Sequence, residues 1–201
     1  MATPPNDLVR GFMDNVEGAA LHDAALEATR IGPALEIGSY CGRSTLWLAQ
    51  AAQRNNTVVF AVDHHRGSEE HQPGEFFHDP ALTDADGDLD SFPEFRRNLK
   101  KSGLEAFVIP VVADSAVLGR HWHSPLGMVF IDGGHSLDSA LSDYRTWAPR
   151  IVQGGCLAIH DVFPDPALGG QAPFAIWQLA QQSGLFQSNG QTGSLRLLRK
   201  L

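Results

Sequence analysis

Basic residues are scarce in this chain: 15 Lys and Arg stand against 23 Asp and Glu, a formal net charge of -8. They form no cluster, and a partner built on a phosphate backbone demands one, so no nucleic-acid partner is expected. Cysteine is nearly absent. Cys41 and Cys156 are the two present, each inside an apolar segment, so they read as small core residues and not as a disulfide framework. No apolar run approaches the roughly 20 residues of a membrane-spanning helix. The start, MATPPNDLVRGF, has neither the charged nor the apolar region of a secretory leader, and the expectation is a soluble, cytoplasmic protein with no membrane partner. Internal repeats and low-complexity linkers are also missing. What the chain does have is core material: 43% of 201 residues are hydrophobic, enough for one substantial core and too little for two, which predicts a single domain over 1–201.

Short apolar runs alternate with longer stretches of helical periodicity, the pattern of an α/β fold with a parallel sheet and crossover helices. Six or seven strands can be placed. The runs Ala34–Ile37, Val58–Val62, Phe107–Val112, Met128–Ile131 and Cys156–Ile159 are the expected parallel strands, bounded by Gly, Pro, Asp or polar clusters. Between them, Arg43–Arg54, Phe92–Lys101 and Leu137–Trp147 carry apolar residues at three- and four-residue spacing and predict helices. An N-terminal helical segment is expected within residues 1–30, over Leu8–Ala28, and a closing antiparallel hairpin over Gly184–Leu201. Two long irregular stretches, His64–Ser91 and Phe163–Gln171, are the candidate functional loops.

The segment EIGSYCGRST, from Glu36 to Thr45, follows a strand and opens a helix. Gly38 and Gly42 would let a ligand approach the backbone, while Ser39, Ser44 and the free N–H groups of the new helix offer donors. The spacing is not the G-x-G-x-x-G of a dinucleotide fingerprint, and no Lys follows as in a phosphate loop. Glu36 suits a cationic or donor-rich ligand better than a pyrophosphate. Roughly 25 residues after Gly38, Asp63 ends the second strand, where an acid can accept both hydroxyls of a ribose. Asp114 and Ser115 end the third and could hold an adenine amino group, although Asp before Ser is equally a helix N-cap. Acids at successive strand ends favour a ligand site, since ligands of open α/β sheets bind outside the carboxyl ends of the strands.

The fourth and fifth strands end in FIDGGHS and AIHDV. Asp132, His160 and Asp161 would then project from adjacent strand ends, close enough to share one divalent cation. An imidazole's reference pKa lies close to neutral pH, so His135, in the glycine-rich turn, is the candidate to take a proton from an acceptor hydroxyl. The plainer alternative makes Asp132 and Asp161 helix caps and His135 a turn residue.

Together EIGSYCGRST, FIDGGHS with the downstream DYRTW, and GGCLAIHDV resemble class I S-adenosylmethionine-dependent methyltransferases of the macrocin O-methyltransferase-like group, over about Ala34 to Val162. The resemblance implies a Rossmann-like seven-stranded sheet in the order 3-2-1-4-5-7-6 with the last hairpin antiparallel. It implies Mg2+, or another divalent cation, on Asp132 and Asp161, with His160 replacing the first acid of the family's pair, and His135 as the base. The implied reaction moves a methyl group from S-adenosylmethionine to a hydroxyl, preferably of a sugar or other saccharide and otherwise of a catechol or phenol. A homodimer is compatible with the resemblance.

The His64–Ser91 stretch holds His64, His65, His71 and His78 among many acids. A second metal site there lacks the i, i+4 histidine pair and any cysteine, so a lid over the acceptor, with Phe76 and Phe77 as apolar cover, is the favoured reading. Phe163–Pro166 and Gly169–Gly170 would form the acceptor pocket wall. Trp147 and Trp177 are expected in helices as core or interface residues. Two other classes stay open: a non-heme iron hydroxylase, because a His and carboxylate set can hold iron, and a binding module that has kept the fold without turnover.

Overall fold

The computed structural model describes residues 9–67, 79–134 and 136–201. His135, and the part of the expected lid that carries His71, Phe76, Phe77 and His78, lie outside the described residues. The elements in chain order are α1 (Asn15–Ala28), β1 (Ala34–Ile37), α2 (Arg43–Arg54), β2 (Val59–Asp63), α3 (Phe92–Ser102), β3 (Val108–Val112), α4 (Ser115–Gly119), β4 (Leu126–Ile131), α5 (Leu137–Trp147), β5 (Ile151–Ile159), α6 (Ala172–Gln182), β6 (Phe186–Thr192) and β7 (Leu195–Lys200). The strands form one seven-stranded sheet in the order β3-β2-β1-β4-β5-β7-β6. β1 to β5 are parallel, and β7 enters antiparallel to β5 and to β6.

The starts of one helix and one strand differ from expectation by several residues, for local reasons. α1 begins at Asn15 and not at Leu8, because the Asp14 carboxylate accepts from the N–H groups of Val16 and Glu17 and so caps the helix there. Gly11, at φ 150°, lies outside any helical conformation. β5 starts five residues earlier than its apolar run, at Ile151, since pairing of Leu126 with Ile151 and an irregular register carry the strand across Gly154 and Gly155.

Side chains alternate across each strand, and that parity sorts the two faces. Leu35, Val129, Ile131, Leu157 and Ile159 pack with Trp147 of α5 and Ile176 of α6 on one face. Ala34, Met128, Phe130, Cys156 and Ala158 pack with Leu21 of α1 and Trp47 of α2 on the other. Cys41 and Cys156 are both buried free thiols, and Trp147 is fully buried, as their apolar settings predict. Among the described residues no helix is long and apolar enough to cross a membrane.

Extending the same parity past the strand ends places the polar rim. Glu36 is in step with Ala34, Asp132 with Met128 and Phe130, and His160 with Cys156 and Ala158, so all three face the α1/α2 side. The ladder continues into this rim through Asp132 N–H to Ile37 O, 2.9 Å, and His160 N–H to Ile131 O, 3.1 Å, which holds both residues as rigidly as the strands themselves. At the far edge, β3 exposes Ile109 and Val112 on either side of Pro110.

Candidate active site

One cavity of about 880 Å³ opens at the carboxyl ends of β1, β2, β4 and β5. Gly38, Ser39, Ser44 and Asp63 line one part of it, Asp114 and Ser115 another, and Asp132, His160 and Asp161 a third. The structure thus brings nine of the eleven described candidates to one wall and places the other two, Glu36 and Gly42, behind it.

Glu36 is fully buried, and its carboxyl accepts from the Ser44 hydroxyl at 2.6 Å and the Thr45 hydroxyl at 2.5 Å. Facing α2 by strand parity, it ties β1 to the first turn of that helix instead of presenting itself to a ligand. Burial raises its pKa to about 8, against the two hydroxyl donors, with Asp132 and Asp63 adding to the rise. Gly42 is the left-handed N-cap of α2, at φ 92°, and a side chain there would press on Phe95. Gly38, at φ 84°, does line the cavity, yet its missing side chain makes room for the backbone of Asp132 and Gly133, not for a ligand.

Asp63 organises the turn between β1 and α2. One carboxylate oxygen accepts from Ser39 N–H (3.0 Å) and Tyr40 N–H (2.8 Å), and the other from His65 N–H (2.7 Å). A carboxylate has about four acceptor sites, so the ribose role read from the sequence shares this group with three backbone donors. Tyr40, at φ 44°, is held in the left-handed region by the same bonds. The Ser39 hydroxyl is buried at the cavity wall and has no hydrogen-bond partner among the described residues. His65 is buried, its Nδ1 lies 2.8 Å from the Ser91 hydroxyl, and its ring packs on Phe92 and Phe95.

Asp114 caps α4, accepting from Val117 N–H at 2.8 Å, and also lines the cavity. The Ser115 hydroxyl donates to Asp143 and accepts from the Trp147 indole at 3.2 Å. Asp143, only 5% exposed and also on the cavity wall, had no role in the sequence reading. Its signal was an acid on the buried stripe of α5, in step with Ala140 and Trp147. Burial raises its pKa to about 6, with Ser115 opposing and Asp114 adding to the rise. The folded state then holds that proton more tightly than the unfolded chain. The resulting destabilisation is absent below the ordinary carboxylate range near pH 4 and complete above about pH 6. Asp143→Asn removes it while keeping an acceptor for Ser115. The stability of the variant relative to wild type should therefore rise between pH 4 and 7, by an upper limit of about 3 kcal/mol. Chemical denaturation at the two pH values checks this, and a pH-independent difference contradicts it.

At the third part of the wall, His160 lies in a cage of carboxylates. Its Nδ1 is 3.0 Å from Asp132 Oδ1 and 3.5 Å from Asp161 Oδ1, and its Nε2 is 3.0 Å from Glu17 Oε2 of α1. Burial by itself would lower its pKa, but Asp132, Glu17 and Asp161 raise it to about 11, so without a metal ion the ring is an imidazolium. Asp161, at φ 55°, adopts a left-handed conformation that costs about 1 kcal/mol and turns its carboxylate back toward this ring. One donor atom each from Asp132, His160 and Asp161 falls within 4.8 Å of the others, a grouping that could hold a metal ion.

A doubly flanked sheet with this strand order and a ligand cavity at its carboxyl rim is the Rossmann-like methyltransferase fold. Residues 35–162 match the family model described as a methyltransferase domain, and the chain belongs to that family. By family and fold it is a methyltransferase of the S-adenosylmethionine-dependent class. Similar solved structures include the cofactor-bound Rv0187 of MTB (TM-score 0.69, 19% identity, covering 96% of this chain and 84% of that one). The O-methyltransferase TomG of Streptomyces achromogenes, solved with S-adenosylmethionine, is similar too (TM-score 0.63, 16% identity, 94% and 81% covered). So is an O-methyltransferase of Bacillus cereus, solved with S-adenosylhomocysteine (TM-score 0.62, 15% identity, 94% and 83% covered).

Proposed function

We propose that this chain is an O-methyltransferase that transfers the methyl group of S-adenosylmethionine to a hydroxyl of a small-molecule acceptor with the help of a divalent cation. The observation that carries the reading is the meeting, in one cavity, of the Ser39–Asp63 turn with the Asp132, His160 and Asp161 group. The Asp63 carboxylate and the Ser39 hydroxyl, which has no hydrogen-bond partner among the described residues, fit a nucleoside sulfonium bound along the β1–α2 turn, with Asp114 and Ser115 beside its base. S-adenosylmethionine supplies an activated methyl group. The acceptor oxygen attacks that methyl in line, an O–C bond forms as the S–C bond breaks, and S-adenosylhomocysteine leaves with the electron pair. No covalent enzyme intermediate is required, so the residues act by alignment and charge stabilisation.

Asp132, His160 and Asp161 would hold the cation, which supplies Lewis acidity that favours the ionised acceptor hydroxyl. Their donor set fits such an ion, and the imidazole nitrogen shifts the preference from Mg2+, a seeker of oxygen ligands, toward Mn2+, Fe2+, Co2+ or Zn2+. His135, three residues after Asp132, stands as the candidate base on its sequence position. Phe12, Tyr40, Phe163 and Leu168 give the cavity an apolar and aromatic flank. That flank favours a phenol or catechol over the saccharide implied by the resemblance to macrocin O-methyltransferases. Calorimetry with S-adenosylhomocysteine, followed by labelled-methyl transfer to matched phenol and saccharide panels with and without Mn2+, tests each layer in turn. Absence of S-adenosylhomocysteine binding would sink the reading as a whole, while binding with no transfer to any acceptor would point to a module without turnover.

A further inference from the structure

Glu17 is buried on the α1 side of the sheet, beneath its carboxyl rim, and nothing in the proposed chemistry uses it. It lies on the apolar stripe of α1 with Leu21, Ala25 and Ala28, where an acid costs stability unless it is fully bonded. Both of its oxygens are engaged. Oε1 accepts from the Ser194 N–H at 2.6 Å and the Ser194 hydroxyl at 2.9 Å, and Oε2 lies 3.0 Å from Nε2 of His160. The β6–β7 turn is shaped around this carboxylate: Gly193 has φ 52°, and a side chain there would collide with Oε1. The two Ser194 bonds hold Oε1 and so keep Oε2 turned toward the ring.

An imidazole presents one nitrogen to a metal ion only when its other nitrogen carries the proton, and the partner of that proton decides which is which. We infer that Glu17 is a positioning residue for the cation-holding rim: it fixes the proton of His160 on Nε2 and so presents Nδ1 toward Asp132 and Asp161. The inference rests on the metal-assisted reading proposed above and adds an outer residue to it. Two donor atoms bound at right angles to one ion, each at about 2.1 Å, stand about 3.0 Å apart. Nδ1 of His160 and Oδ1 of Asp132 have that spacing, and Asp161 Oδ1 follows at 3.5 Å from Nδ1. The opposite tautomer would point Nε2 as an acceptor at an acceptor-only carboxylate, which the geometry forbids.

A role limited to tying α1 to β5 and the last hairpin would give the same packing, so the test needs a readout that packing does not move. In wild-type protein, two-bond proton–nitrogen correlation spectra of histidine, with His160 assigned by a His160→Gln variant, report the tautomer directly. On adding Zn2+, the His160 Nε2 should keep its proton while Nδ1 shifts as a ligand. Glu17→Gln is the matched variant. Its amide oxygen is required by the two Ser194 donors, which turns the NH2 group toward Nε2 and imposes the wrong tautomer with almost no change of volume. Co2+ affinity, followed by its visible absorption, should fall about 10- to 100-fold in that variant, while S-adenosylhomocysteine affinity stays within a few-fold. Unchanged Co2+ binding by folded Glu17→Gln protein would reduce Glu17 to a packing tie and leave the metal-assisted reading standing. If wild type binds neither Co2+ nor Zn2+ at this rim, the metal-assisted reading fails and the inference falls with it. Should Glu17→Gln not fold, the wild-type spectra decide alone, and Zn2+ bound with the proton on Nδ1 overturns the inference.

Discussion

Exchange of Asp161 for asparagine, or of Asp132 for asparagine, is expected to lower methyl transfer by about 10³-fold while S-adenosylhomocysteine still binds within a few-fold of wild type. Each change removes an anionic oxygen from the group around His160 Nδ1 and leaves the shape of the rim in place. A loss of this size corresponds to about 4 kcal/mol of transition-state stabilisation, within reach of a Lewis acid at the reacting oxygen. Asparagine is the right replacement at position 161 because the backbone there sits at φ 55°, which Asn and Asp tolerate and Ala does not. The measurement is single-turnover transfer at saturating cofactor, paired with calorimetry of cofactor binding. Full transfer by an Asp132→Asn, Asp161→Asn double variant would end the metal hypothesis and leave the cofactor assignment untouched.

The second large effect is expected at Asp63. Asp63→Ala should weaken S-adenosylhomocysteine binding by about 10²- to 10³-fold, because a ribose loses a charged acceptor whose hydrogen bonds each contribute about 1.5–3 kcal/mol. The same change removes the acceptor for the N–H groups of Ser39, Tyr40 and His65. The turn borders solvent in the open cavity, so water can replace part of that bonding, and a stability loss of about 2–3 kcal/mol is expected. Denaturant unfolding and calorimetry on the same sample separate the two effects. A variant that loses stability while binding the ligand normally would restrict Asp63 to organising the turn.

Much of the architecture was legible because the apolar periods are clean. β1, α2 and α5 were bounded in the sequence where the structure has them, and the strand order followed from a resemblance carried by EIGSYCGRST, FIDGGHS and GGCLAIHDV. The N-terminal helix was overextended because apolar spacing does not register a cap. Asp14 sets the start by bonding two free N–H groups, a contact with no period of its own. For the site, motif position identified the residues at the rim but not the direction each side chain takes. Glu36 was read as facing a ligand. Counting alternate residues along β1 would have turned it toward α2, where Ser44 and Thr45 are found, and the same count along β5 would have pointed to a partner for His160 on α1, which is Glu17. Glu17 and Asp143 were absent from the reading because acids inside helices are usually taken as solvated. Both lie on the apolar stripe of their helix, and that mismatch was the available signal.

Pro110 has a consequence for how copies of this chain meet. An outermost strand with bare apolar side chains invites a second chain to continue the sheet, and β3 carries Ile109 and Val112 in that position. A proline at its centre withholds one of the amide hydrogens that a newcomer would have to satisfy, blunting the margin against such extension. Growth of the sheet into fibrous or strand-swapped assemblies is therefore disfavoured from this side.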